Sequence, residues 1–125
     1  MTIVDFAMIL TAVVMSATAQ LTLKLGMSSS VVKTAIAGSD MPAIVMAIAT
    51  SPFVVGGLFI YGLSVCVWLF VLAKQDLSVA YPFVGMGFIV TMLLATFVLN
   101  EHVTTLRVVG TLLIVVGCAL VARTA

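Results

Sequence analysis

The chain has 125 residues, of which 64% are hydrophobic and only 7% carry a formal charge. Soluble domains use roughly 45–50% apolar residues, so a soluble domain of this length could not bury this much apolar surface. The net charge of +1 gives no basic patch for nucleic acid and no acidic tail for a cationic partner. The composition predicts an integral membrane protein and excludes a nucleic-acid-binding one.

Two long segments, Phe53–Ala73 and Leu77–Asn100, contain no charged residue. An uncharged apolar run of 18 or more residues can cross a hydrocarbon core about 30 Å thick as a helix. Two further apolar segments flank them, and the first is interpreted as a retained helix because no convincing signal-peptide cleavage site ends it. The sequence predicts an all-α bundle of four transmembrane helices in a single domain, residues 1–125, with spans at about 3–25, 53–73, 77–100 and 104–122.

Helix-start signals support the second and fourth spans. Ser51 followed by Pro52 is a cap with proline at the first helical position, where its missing N–H costs nothing. The fourth span is expected to begin at Thr104 or Thr105, since either is a suitable cap.

The stretch between the first two spans, residues 27–51, is too polar to cross a membrane. Asp40 with Pro42 could start a short helix through residues 43–48 that lies at the membrane interface. A plain exposed loop fits the same residues equally well.

Four spans place both termini on one side of the membrane, together with Lys74 and Asp76. Lys24, Glu101 and Arg107 then lie on the opposite side. The counts of basic residues on the two sides differ by one, so the positive-inside rule does not predict which side is cytoplasmic.

Ser16, Gln20 and Lys24 are spaced four residues apart, so they lie along one face of the first helix. Polar groups in hydrocarbon need partners, so this stripe is expected to face the bundle or a wet cavity. It could line a path for a polar headgroup, with Lys24 meeting an anion. Hydrogen bonding between helices by Gln20 and snorkelling by Lys24 explain it as well.

Arg107 lies in the first turn of the fourth helix, where free backbone N–H groups favour anions. Its guanidinium matches the geometry of phosphate oxygens. We therefore predict a phosphate site between Lys24 and Arg107, with Glu101 beside them. An ion pair of Glu101 with either basic residue is the alternative.

Tyr81-Pro82 lies about one turn into the third span, where proline removes a backbone hydrogen bond and can kink the helix. Tyr81 is a candidate for the substrate path or an interfacial anchor. Trp68, the only tryptophan, is interpreted as a packing or lipid-facing residue.

Gly110 and Gly117 lie seven residues apart in the fourth helix, and small residues let helices associate closely in lipid. We predict that they form a dimer interface, although packing within one chain has the same signature. Cys66 and Cys118 both lie inside spans, so no disulfide is expected. His102 is a lone histidine and no nucleophile–base pair or nucleotide loop is present, so no metal, cofactor or enzymatic activity is expected.

Several of these residues belong to short segments whose order and spacing match the small four-helix members of the drug/metabolite transporter superfamily. The chain resembles these proteins over about four fifths of its length. Residues 27–51 are outside the resemblance. The segments are Ala19-Gln20-Leu21-x-x-Lys24-x-Gly26, Tyr61-Gly62-Leu63-Ser64 with Trp68-Leu69, Leu77-Ser78-Val79-Ala80-Tyr81-Pro82, Leu99-Asn100-Glu101, and Gly110-x-x-Leu113-Ile114-x-x-Gly117.

Two branches of this superfamily compete. The small multidrug-resistance exporters carry an acidic residue in the middle of the first helix, and Ser16 stands at that place here. The other branch contains the subunits that flip undecaprenyl-phosphate-linked aminoarabinose. The Ala-Gln-Leu-x-x-Lys and Val-Ala-Tyr-Pro segments look most like these subunits and like the related EamA-like four-helix proteins.

The second resemblance implies a translocase for a polyprenyl-phosphate-linked monosaccharide. It would lie in the bacterial inner membrane, act in envelope glycan modification, and form a homodimer or a heterodimer with a similar small protein. A multidrug exporter and an accessory subunit of a larger membrane complex are the alternatives. The substrate-binding candidates are Ser16, Gln20, Lys24, Tyr81, Glu101 and Arg107.

Overall fold

The computed structural model describes residues 2–124, and every regular element within them is helical. Four helices are long and apolar enough to cross a membrane, which confirms the predicted all-α membrane architecture. They are α1 (Ile3–Met27), α4 (Pro52–Lys74), a third span over Leu77–Phe97, and α7 (Thr105–Ala122).

Hydroxyl caps begin the spans where the sequence signals them. The Ser51 hydroxyl accepts a hydrogen bond from the Val54 N–H at the start of α4, with Pro52 as the first helical residue. At α7 the capping residue is Thr104 rather than Thr105, and its hydroxyl accepts from the Arg107 N–H at 3.2 Å. Each cap satisfies one of the N–H groups that a helix start leaves unpaired.

The segment between α1 and α4 contains two short helices, α2 (Ser30–Ala37) and α3 (Met41–Ala49). Helix α3 corresponds to the short helix predicted after Asp40, so the alternative of a plain loop is wrong. Helix α2 was not predicted. The Ser29 hydroxyl caps it, and the fully buried Val32 anchors it.

Proline divides the third span into three pieces: α5 (Leu77–Ala80), a 3-10 helix (Tyr81–Val84) and α6 (Gly85–Phe97). The kink expected at Pro82 takes the form of this tighter 3-10 turn. The span ends at Phe97, short of the predicted Asn100. Asn100 adopts a left-handed φ of 54°, a conformation common just after a helix end. The Glu101 N–H then donates to the Ala95 carbonyl at 2.9 Å and closes the end of the span.

Helices α1 and α4 form the most extensive contact in the bundle. Two glycines bring their backbones together. A Cβ on Gly26 would lie 2.9 Å from the Val54 backbone nitrogen, and one on Gly57 would lie 3.1 Å from the Leu23 nitrogen. The pairing therefore depends on the absence of side chains at these two positions.

A polar cluster joins α1 to the end of α4 at the side of the termini. The buried Asp5 carboxylate accepts a hydrogen bond from the Gln75 amide at 3.0 Å, and the Lys74 ammonium lies 3.8 Å from it. Asp5 also exchanges two capping hydrogen bonds with Thr2. The cluster ties the connection between α4 and α5 to the first turn of α1.

Helix α7 is attached more loosely than the other spans. It packs mainly against α6 and the 3-10 helix, and none of its residues is buried. The Cys118 thiol donates a hydrogen bond to the Pro82 carbonyl at 2.6 Å. Both cysteines are free, as expected from their positions.

We predict that Gly26→Ala separates α1 from α4 and destabilises the protein by about 1–3 kcal/mol, the usual cost of overpacking a tight contact. Gly62→Ala is the matched control, because a Cβ at Gly62 meets no atom within 4 Å. Thermal unfolding in detergent measures both variants. Equal stability of the two variants would contradict the close contact at Gly26.

Candidate functional site

A cavity of about 470 Å³ lies between α1, α4 and the third span. Helix α7 contributes no residue to it. The residues that line it are Ala12, Val13, Ser16, Ala17, Gln20, Tyr61, Ser64, Val65, Trp68, Tyr81, Val84, Gly87, Phe88 and Thr91.

Two residues of the predicted α1 stripe, Ser16 and Gln20, face this cavity. Within residues 2–124, neither side chain forms a hydrogen bond, so the alternative in which Gln20 bonds between helices is not observed. By contrast, the hydroxyls of Thr11, Thr18 and Thr22 on the same helix all donate to carbonyls four residues earlier. The polar groups of Ser16 and Gln20 are therefore available to bond a ligand in the cavity.

Helix α4 supplies three cavity residues that were not predicted to belong to the site: Tyr61, Ser64 and Trp68. Their spacing of three and then four residues puts them on one helical face, and that polar and aromatic stripe was the available signal. Ser64 is buried and donates to the Tyr61 carbonyl at 2.6 Å. Trp68 packs against the core as predicted, but it also lines the cavity.

Tyr81 lines the cavity from the 3-10 helix, one residue before Pro82. Gly87 also lines the cavity. The space beside Gly85 is occupied by α7 instead, since a Cβ on Gly85 would lie 2.5 Å from the Cys118 sulfur. The two glycines thus have different surroundings. Gly87 faces the cavity, and Gly85 accommodates α7.

A second cavity of about 260 Å³ lies towards the opposite end of the bundle from the termini. Lys24 and Glu101 line it, and it shares Ala17, Gln20 and Thr91 with the larger cavity. Because the same residues border both, the two cavities lie next to each other. Together they are here called the polar track, which runs from Tyr81 to Lys24 and Glu101.

Arg107 is on the same side of the bundle as Lys24 but lines neither cavity. Its exposed guanidinium donates to the His102 carbonyl at 3.4 Å. Across residues 2–124 the only ion pair is Lys74–Asp5. The alternative in which Glu101 pairs with Lys24 or Arg107 is therefore wrong, and the structure brings Lys24 to Glu101 without Arg107.

Gly110 and Gly117 lie on the exposed part of α7, where an added Cβ would meet no atom within 4 Å. Large apolar side chains surround them, including Leu106, Leu113 and Leu120. The glycines do not serve packing within this chain, and their role in a dimer stays a prediction.

No protein-family model matches the chain, and no solved structure matches it either. Curated proteins do match over part of their length. A protein of Pseudomonas fluorescens (strain Pf0-1), described as "Probable 4-amino-4-deoxy-L-arabinose-phosphoundecaprenol flippase subunit ArnE", is 38% identical over 73 residues, which cover 58% of this chain and 64% of that protein.

Two relatives with the same description come from other bacteria. The protein of Pseudomonas aeruginosa (strain LESB58) is 37% identical over 75 residues, covering 60% of this chain and 65% of that protein. The protein of Enterobacter sp. (strain 638) is 40% identical over 68 residues, covering 54% and 64%. The match spans less than two thirds of the length of each of these relatives.

Proposed function

We propose that this chain is a subunit of a bacterial inner-membrane translocase for a polyprenyl-phosphate-linked monosaccharide. The observation that carries the proposal is the polar track between α1, α4 and the third span. Its hydroxyl, amide and aromatic groups suit a sugar, and its Lys24 end suits a phosphate. The similarity to proteins described as phosphoundecaprenol-sugar flippase subunits supports the same substrate class.

In this proposal Lys24 holds the lipid phosphate at the end of the polar track. Lys24 and Glu101 share a cavity without pairing, so the ammonium remains available to an anion. Arg107, outside the cavity and exposed, acts as a second cation that attracts the lipid headgroup to this side. Gln20 borders both cavities and bonds the junction between phosphate and sugar.

We predict that Lys24→Gln weakens binding of polyprenyl phosphate by about ten-fold or more. A charge-assisted hydrogen bond contributes roughly 1.5–3 kcal/mol, and 1.4 kcal/mol corresponds to ten-fold in affinity. Arg107→Gln should cost no more than about five-fold, because one basic residue near a membrane surface contributes roughly 1 kcal/mol. Binding to the purified protein and transfer of the modifying sugar in cells measure both.

Lys33→Gln is the matched control for charge, since Lys33 is exposed on α2 at the same end and lines neither cavity. This variant should bind like the parent. If Lys24→Gln binds polyprenyl phosphate and transfers the sugar as the parent protein does, the phosphate site at Lys24 is contradicted. A larger loss in Arg107→Gln than in Lys24→Gln would place the phosphate at the start of α7 instead.

Proton-coupled export of cationic drugs is not expected. None of the residues that line the larger cavity is acidic, and Ser16 faces it from the middle of α1. Efflux of ethidium or methyl viologen from vesicles under a pH gradient is the direct measurement. We predict no efflux beyond that of empty vesicles, and efflux that depends on the gradient would contradict the translocase proposal.

A second subunit, either another copy or a similar small protein, is proposed to pack on α7. The exposed apolar face with Gly110 and Gly117 is the surface for it, because small residues permit close helix contacts in lipid. Replacing both glycines with leucine should separate the subunits in mild detergent, as measured by mass of the purified complex. The matched control replaces Gly56 and Gly62 of α4, which are equally unobstructed. An unchanged complex in the α7 variant would contradict this interface.

A further inference from the structure

The polar track is open at one end and closed at the other. Lys24 and Glu101 are exposed at the open end. At the end towards the termini, buried apolar side chains form the floor of the larger cavity. This apolar floor consists of Ile9, Val13, Val71, Ala80 and Phe83. Val13 also lines the cavity, and Trp68 of the cavity packs against the floor, so the floor adjoins the cavity directly.

The apolar floor lies between the cavity and the termini on all three helices that line the cavity. On α1, Ile9 comes one turn before Val13. On α4, which runs back towards the termini, Val71 comes one turn after Trp68. In the third span, Ala80 comes just before the 3-10 helix. Ile9, Val71 and Ala80 each have an exposed fraction of 0%. A polar headgroup that leaves the track towards the termini would have to cross this floor.

A polar contact, here called the latch, lies one turn beyond the apolar floor. Asp5 is four residues before Ile9 on α1, and Gln75 is four residues after Val71 at the end of α4. The Gln75 amide donates a hydrogen bond to the Asp5 carboxylate at 3.0 Å. The Thr2 N–H donates to the same buried carboxylate at 3.1 Å. The latch thus joins the first turn of α1 to the connection between α4 and α5, directly outside the floor.

We propose, as an extension that rests on the proposed translocase function, that the latch and the apolar floor form a gate at the end of the polar track nearest the termini. The gate is closed in this structure. The carried headgroup passes between the track and that membrane surface only after the latch has separated and α5 has moved away from α1. Lys24, at the open end, takes no part in this step.

The two ends of the α1–α4 pair differ in how readily they separate. At the Lys24 end the backbones meet at Gly26 and Gly57, and separating them would break tight packing, which is costly. At the latch, side-chain hydrogen bonds can be exchanged for hydrogen bonds to water, so their net contribution is small. The 3-10 helix separates α5 from α6, and a 3-10 stretch within a helix often marks a hinge. Movement is therefore expected at the latch rather than at the glycines.

Thiol labelling of a cysteine placed in the apolar floor tests whether the gate opens. Ala80→Cys is introduced into the full chain together with Cys66→Ser and Cys118→Ser. The protein in lipid nanodiscs is then treated with a charged, water-soluble thiol reagent. Gln75→Leu, which cannot bond Asp5, should raise the labelling rate by at least about five-fold, because losing the net contribution of one hydrogen bond increases the open population by this factor.

Two controls separate gate opening from general loosening of the bundle. Asp76→Asn changes the next residue of the same connection and should leave the rate at the parental value. In the part of the chain that the structure describes, the Asp76 side chain forms no capping hydrogen bond and no ion pair. A cysteine at Ala19, which is fully buried in the second half of α1, should label no faster in Gln75→Leu than in the parent.

An unchanged labelling rate at Ala80→Cys in the Gln75→Leu variant overturns the gate. An equal rise at Ala19→Cys also overturns it, because the whole bundle would then have loosened. If Ala80→Cys does not fold, Val71→Cys replaces it, since Val71 is equally buried in the floor.

A reversible crosslink across the latch tests whether transport requires the gate to open. Asp5→Cys and Gln75→Cys, again without the native cysteines, are bridged by a short bis-methanethiosulfonate. The probe is a short isoprenyl phosphate linked to 4-amino-4-deoxy-L-arabinose, the sugar in the descriptions of the relatives. Bridging should lower transfer of the probe across vesicles that contain the protein by at least about ten-fold, while binding of the probe stays within about three-fold. Reduction should restore transfer, and the single-cysteine variants should transfer normally after the same treatment.

The outcomes distinguish the gate from the translocase. Transfer that is lost on bridging and restored on reduction supports both. Full transfer by the bridged protein overturns the gate and leaves the translocase intact. A parent protein that transfers none of the probe contradicts the translocase, and the labelling rates then decide whether the latch is a moving part.

Discussion

The close approach of α1 to α4 is the contact on which the rest of the structure depends. Gly26 and Gly57 allow the two backbones to meet at the end of the bundle away from the termini. The Asp5–Gln75 hydrogen bond fastens the other end. Because α1 is fixed to α4 at both ends, Ser16 and Gln20 face the same cavity as the polar and aromatic side chains of α4. The third span forms the remaining wall of this cavity.

The distribution of charge follows from the same architecture. Ionised side chains lie at helix ends and in connections, where water is available, while the middle of the bundle holds only neutral polar groups. An ionised group in hydrocarbon is expensive, whereas a hydroxyl or amide on a helix can find partners. The threonines of α1 that face away from the cavity bond their own backbone, but Ser16 and Gln20 do not. The available hydrogen-bonding groups of the membrane interior are therefore concentrated along the polar track.

Much of the fold could be predicted from the sequence because lipid imposes a simple constraint. A span needs a long uncharged run, and the caps at Ser51 and Thr104 and the break at Pro82 are local signals. Helix α2 was not predicted, because it is short, carries Lys33 and is stabilised by burial of Val32, a tertiary contact. The end of the third span was misplaced by three residues, because the left-handed turn at Asn100 adds no charge or proline to mark it.

The lining of the candidate site was predictable on α1 but only in part elsewhere. The four-residue spacing of Ser16, Gln20 and Lys24 identified the stripe that lines the polar track. The stripe of Tyr61, Ser64 and Trp68 on α4 was also present in the sequence. Trp68 considered alone was interpreted as a packing residue, because it was not considered together with Tyr61 and Ser64 on the same helical face. The separation of Arg107 from Lys24 depends on how α7 packs, and spacing along the chain carries no information about that.

Photocrosslinking tests most directly whether the substrate occupies the space between α1, α4 and the third span. A polyprenyl-phosphate-linked sugar with a photoreactive group on the sugar ring is activated in membranes that contain the protein, and the adducts are mapped by mass spectrometry of its peptides. Adducts should fall on residues that line the larger cavity, such as Gln20, Tyr61 and Trp68, and unlabelled substrate should compete for them. Adducts confined to α7 or to the lipid-facing sides of α1 and α4 would contradict the account.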